Sequence, residues 1–75
     1  MQKYLLEFIL HAQNTTGEVI RNSLAEFAEG LEINQDINTK GKDFRVHLCT
    51  DEPTVIFDIC SQLGRIRKIA VNEVK

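Results

Sequence analysis

The sequence has few residues that break a chain or cross-link it. It contains one proline, four glycines, two cysteines and no tryptophan among 75 residues. With 43% apolar residues and a net charge of only −2, this composition excludes a disordered tail and indicates one compact domain over residues 1–75. Two cysteines are too few for a small disulfide-stapled secreted scaffold, so we expect Cys49 and Cys60 to be reduced thiols.

Long apolar runs are also absent. The longest ones, residues 5–6 and 8–10, are separated by Glu7 and fall far short of the roughly 20 residues that a membrane helix needs. The first residues lack the separate apolar stretch and small-residue cleavage site of a signal peptide. We therefore expect no membrane segment and a cytoplasmic location. A slight acidic excess, 11 acidic against 9 basic residues, disfavours strong nucleic-acid binding.

The first half of the chain changes from a strand pattern to a helix pattern and back. Residues 3–12 alternate and predict a strand with Tyr4, Leu6, Phe8 and Leu10 on one side. A helix follows, with Thr15 and Glu18 as a capping box and Gly30 as its end. Its apolar side consists of Ile20, Leu24, Phe27 and Ala28. Residues 31–38 alternate again and predict a second strand.

The second half repeats this order. A turn at residues 39–41 leads into a third strand, residues 43–50. Asp51, Glu52 and Pro53 supply a cap candidate, an acidic first turn and a tolerated proline for a second helix that ends at Gly64. Its apolar stripe consists of Val55, Ile56, Ile59, Cys60 and Leu63. Residues 65–75 predict a last strand, although Ile66 and Ile69 differ in parity.

The order βαββαβ predicts an α+β fold of the ferredoxin-like plan. We expect a four-stranded antiparallel sheet in the order 4-1-3-2, with both helices on one face and the other face open. Phe8 and Leu48 should point into the core together with Phe27 and Ile59. Strand parity assigns the following residues to the open face of the two central strands: Leu5, Glu7, Ile9, His11, Arg45, His47 and Cys49.

The turn before the first helix carries a family resemblance. Asn14, Thr15, Thr16 and Gly17 open that helix, with Val19 and Ile20 just inside it. In this βαββαβ context the chain resembles the ACT domain, which binds small effectors, often amino acids, beside the first strand–helix turn at an interface between two domains. The resemblance implies a ligand site at residues 14–17. The other interpretation of the same residues is simple helix capping.

Chemistry that depends on a metal or a nucleophile is not expected. His11, His47, Cys49 and Cys60 are the ligand types that zinc and copper prefer, but His11 should lie far from Cys49 and Cys60 belongs to a helical core stripe. No CxxC motif is present. No base, nucleophile and orienting group come within reach of one another, so we expect neither a cofactor nor an enzyme.

The sequence therefore predicts a small binding, regulatory or oligomerisation module, possibly one that binds an ACT-like effector. Apolar residues on a central strand of an open face favour self-association. The contact of the expected homodimer comprises Leu5, Glu7, Ile9, Arg45, His47 and Cys49. The alternative is a nucleic-acid-binding domain that uses the same open face.

Overall fold

A computed structural model describes residues 3–13, 15–36 and 42–74. Its elements are β1 (Lys3–His11), α1 (Gly17–Leu24), β2 (Glu29–Asp36), β3 (Asp43–Thr50), α2 (Pro53–Leu63) and β4 (Arg65–Val74). The strands form one antiparallel sheet in the order β2-β3-β1-β4. Read from the β4 edge, this is the 4-1-3-2 order that the sequence predicts. The α+β class with four strands and two helices is confirmed.

One hydrophobic core lies against one side of the two central strands. The even-numbered residues of β1 and β3 from Leu6 onward are buried and the odd-numbered ones are not, as the alternation predicts. Both helices contribute to this core. Its buried members are Leu6, Phe8, Leu10, Ala12, Ile20, Leu24, Phe44, Val46, Leu48, Ile56 and Cys60.

The first helix differs from the prediction at both ends. Thr16, not Thr15, is the N-cap, and its Oγ1 accepts a hydrogen bond from the Val19 N–H at 3.3 Å. The predicted capping box is therefore wrong, because Glu18 lies one position too early to complete it. The helix ends at Leu24, with Ala25 as the C-cap, well before Gly30.

Gly30 and Phe27 consequently have other surroundings than predicted. Gly30 has φ +60° but lies inside β2, where the register against β3 shifts between Glu29 and Glu32. A left-handed residue at this place serves a β-bulge rather than a helix end. Phe27 follows the helix and remains 36% exposed, so its assignment to the core is wrong. The helical period on which that assignment rested stops at Leu24.

The second helix begins at Pro53, as expected, and its N-cap is Glu52 without a side-chain hydrogen bond. Asp51 does not cap it; instead the buried Thr50 accepts a hydrogen bond from the Glu52 N–H at 3.0 Å. The helix ends at Gly64, as predicted. A Cβ atom at Gly64 would lie 2.1 Å from the carbonyl oxygen of His11, so only glycine allows the two segments to pass this closely.

A bulge divides the edge strand β4. Glu7 pairs with Ala70 and Ile9 pairs with Arg67, so one extra residue of β4 lies between them. Lys68 has φ +54° at this position. The bulge explains the mixed parity of the last segment, because it lets Ile66 and Val71 share the side of the sheet to which Leu10 and Leu6 belong.

Three predicted features lie outside the described residues. They are Asn14, the end of the second strand at residues 37–38 and the turn at residues 39–41. Within the described ranges, none of the helices has the length and apolar character needed to cross a membrane.

Candidate functional site

The side of the sheet opposite the core carries the predicted interface residues. Leu5, Glu7 and Ile9 alternate with core residues along β1, and β3 follows the same pattern. The register places them in three cross-strand pairs: Leu5–Cys49, Glu7–His47 and Ile9–Arg45. We call this side, with the neighbours that β2 and β4 add to it, the open face.

One end of the open face is basic. Ile9 lies between Arg45 on β3 and Arg67 on β4, and His11 in the next row pairs with Arg65. All three arginines are exposed. Their guanidinium groups place a concentration of positive charge on a chain whose net charge is −2.

A hydrogen-bonded network anchors this basic end. Nδ1 of His11 lies 2.6 Å from Oδ1 of Asp43, and Nη2 of Arg67 donates to both Asp43 oxygens at 3.1 Å. The hydrogen bond from His11 and the charge of Arg67 hold the pKa of Asp43 below its ordinary 3.8, although desolvation opposes them. The network links the strands β1, β3 and β4 and orients the ring of His11.

The other end of the open face is acidic. His47 pairs with Glu7 on one side and with Glu32 on the other, and both glutamates are exposed. Glu29 follows opposite Cys49 and forms an ion pair with Lys3. Hydrogen bonding to Glu29 and its charge raise the pKa of Lys3 above 10.5.

The middle of the open face is apolar. Leu5 and Ile9 are half-buried, with the half-buried Cys49 beside Leu5. A shallow groove of about 190 Å³ runs past Ile9 between Arg45 and Lys68. Nδ1 of His47 is buried and forms no hydrogen bond within the described part of the chain. The arrangement combines an apolar strip with two oppositely charged ends.

The predicted effector turn has a simpler local explanation for one of its residues. Thr16 caps α1, and Gly17 is the first residue of that helix. Thr15 differs, because its Oγ1 is buried and has no partner among the residues that the structure describes. A groove of about 530 Å³ adjoins it, lined in part by His11, Gln62 and Arg65. His11 therefore contributes both to this groove and to the basic end of the open face.

The two cysteines have different environments. Cys60 is fully buried in the core, and desolvation raises the pKa of its thiol to about 11. Cys49 lies on the other side of the sheet. Over residues 3–13, 15–36 and 42–74, no three histidine, cysteine or acidic side chains form a group that could hold a metal ion.

Sequence reasoning missed the contribution of β4 to the open face. The interface prediction contains Arg45 but neither Arg65 nor Arg67, which the register places beside His11 and Ile9. The mixed parity of Ile66 and Ile69 was the available signal, since a break in alternation within a strand indicates a bulge. Without the position of that bulge, the face of each β4 residue stays undetermined.

Comparison with known proteins gives one family. The model of the FakA-like middle domain, a domain of the fatty acid kinase family, matches residues 1–75. No curated protein matches the chain. No solved structure matches it either. The match does not confirm the ACT resemblance, although both are compatible with a small βαββαβ domain. Because the family model covers the whole sequence, the chain belongs to the family of FakA-like middle domains of fatty acid kinase.

Proposed function

We propose that this domain is a non-catalytic assembly module of a fatty acid kinase, and that it binds a second copy of itself through the open face. The observation that carries the proposal is the charge distribution of that face around Leu5 and Ile9. Its fold is the ferredoxin-like arrangement, in which both helices cover the core side and leave the other side to a partner. The family match supports a binding or regulatory module within such a kinase.

The charges favour one arrangement of two copies. Two open faces stack when a two-fold axis lies between them, perpendicular to the strands. Each basic end then lies over the acidic end of the other copy, so that Arg45 approaches the row that contains Glu7 and Glu32. A parallel stack would place like charges together, which costs several kcal/mol at an interface.

The apolar strip supplies the attraction in this arrangement. Stacking removes Leu5 and Ile9 from water, and each fully buried Leu or Ile side chain contributes on the order of 1.5–3 kcal/mol. The charged ends fix the orientation and contribute less to affinity, because exposed ion pairs are screened by salt.

Sedimentation equilibrium of Ile9→Glu tests the apolar part. We expect a wild-type dimer and a folded monomeric variant, because an unpaired carboxylate is costly to bury. Val19→Glu is the matched control, since Val19 is 45% exposed on α1 and lies outside the open face. A wild-type chain that stays monomeric at high micromolar concentration overturns the proposal.

Charge reversal tests the orientation. Arg45→Glu should weaken the dimer at least about tenfold, and adding Glu32→Arg should restore it. Arg21→Glu makes the same charge change on an exposed residue of α1 and should leave the dissociation constant unchanged. Failure of the double variant to recover would contradict the antiparallel stack.

A second candidate is a small carboxylate effector, such as an amino acid, in the groove beside Thr15. The buried, unpartnered Oγ1 of Thr15 and the neighbouring Arg65 favour it within the described part of the chain. In an NMR titration with free amino acids, we expect the largest amide shifts at Thr15 to Glu18. Largest shifts at residues 39–42 instead would reject this candidate.

Nucleic-acid binding through the open face has weaker support. The three arginines favour it, but Glu7 and Glu32 share the face, and none of the described residues that point there is aromatic. Base stacking therefore has no platform. A gel-shift assay at low salt with single-stranded RNA tests it, and we expect no shift.

A further inference from the structure

The outer edge of β4 carries apolar side chains that no other described element covers. Within the described ranges five large apolar residues are exposed, and three of them belong to one short stretch of this strand. They are Ile69, Val71 and Val74, exposed by 53%, 48% and 42%. β4 pairs with β1 on one side only, because it ends the sheet.

The bulge at Lys68 separates this stretch from the basic part of the strand. Arg65, Arg67 and Lys68 lie at or before the bulge, whereas residues 69–74 contain no basic residue. Lysine and arginine along an edge usually discourage strand addition. That protection therefore applies to the first part of β4 but not to residues 69–74.

We propose that residues 69–74 pair with the same residues of a second copy, so that two sheets join edge to edge. Antiparallel pairing about a two-fold axis normal to the sheet keeps the core sides of both copies on the same side. Residues directly opposite each other must then share a side. The pairing goes beyond the open-face dimer, because it uses the edge of the sheet and leaves the open face unoccupied.

One register fits the side chains best. With Ala70 opposite Ala70 on the axis, Ile69 of each copy faces Val71 of the other. Val71 lies on the core side because it pairs with Leu6, and Ala70 lies on the open face because it pairs with Glu7. Alternation places Ile69 on the side of Val71. Four apolar side chains thus meet on one side and two small ones on the other, which is why the second copy suits this edge.

Cysteine cross-linking tests both the contact and its register. In a Cys49→Ser background with Ile9→Glu, which removes the open-face contact, Ala70→Cys should form an interchain disulfide under mild oxidation. Asn72→Cys is the control, because residue 72 would lie opposite residue 68, with the two cysteines about 13 Å apart. A disulfide cannot span that distance, so we expect at least about tenfold less dimer from this control.

A charge on the edge supplies the second measurement. Val71→Lys should reduce the Ala70→Cys cross-link at least about tenfold, and Val19→Lys, on an equally exposed residue of α1, should not. Equal cross-linking at positions 70 and 72, or no effect of Val71→Lys, overturns the proposal. If the wild type forms no open-face dimer but position 70 still cross-links, the open-face proposal fails and the edge pairing stands.

Discussion

Phe8 is one of the largest fully buried side chains, and its ring meets that of Phe57 edge-on at a centroid distance of 5.7 Å. Phe8→Ala should lower the free energy of unfolding by about 3–5 kcal/mol, through lost burial and a residual cavity. Urea unfolding measures this loss. Phe27→Ala is the control, since Phe27 is 36% exposed and should cost much less. Equal losses would show that the core is assigned to the wrong residues.

Asp43 makes stability depend on pH in acid. Its pKa is lowered in the folded chain, mainly by the hydrogen bond from His11, so its stabilisation is complete above its ordinary pKa of 3.8. It is lost as the pH falls from there through the folded pKa. The urea midpoint of the wild type should therefore fall more steeply below about pH 4 than that of Asp43→Asn. Parallel pH profiles would contradict a stabilising role for the ionised carboxylate.

At the scale of the elements, two glycines serve different physical needs. Gly64→Ala should destabilise by about 3 kcal/mol, because the new Cβ would meet the His11 carbonyl at the start of β4. Gly30→Ala meets no atom within 4 Å, but φ +60° should still cost about 1–2 kcal/mol. Thermal unfolding of both variants checks this order. A greater loss for Gly30→Ala would indicate that backbone strain outweighs the clash.

The element boundaries show where local sequence signals suffice. Pro53 and Gly64 bound α2 as predicted, because a proline at the first turn and a glycine at the end act locally. The predicted end of α1 is wrong, since Phe27 and Ala28 continue the apolar period although the helix stops at Leu24. There the segment has to turn back into β2 to pair with β3, and that pairing is not local.

For the whole molecule, the buried thiol of Cys60 reports opening of the core. Burial raises its pKa to about 11, so a disulfide reagent at pH 8 should modify Cys49 quickly and Cys60 only through unfolding. Phe8→Ala should speed the Cys60 reaction and leave that of Cys49 nearly unchanged. Fast modification of both thiols in the wild type would contradict a closed core.

The same raised pKa predicts weaker stability in alkali. A thiol whose folded pKa exceeds its ordinary 9.0 favours the folded state only while it is protonated. Stability should therefore decline as the pH rises above about 9, and Cys60→Ala should remove this decline. Urea midpoints between pH 7 and pH 10 measure it, and an unchanged slope in the variant would attribute the decline to other groups.

The spacing of the apolar residues was enough to predict the βαββαβ order, the strand order and the faces of β1 and β3, because that period sets which side chains share a side. It thereby identified Leu5, Ile9, Arg45 and their neighbours as one surface. The bulges at Gly30 and Lys68 emerged from the folded chain alone, since they depend on pairing with distant strands. Those bulges place Arg65 and Arg67 beside His11 and leave residues 69–74 as an apolar edge. A bulge shifts every later side chain to the opposite side of its strand, so its position decides what the surface of the molecule presents.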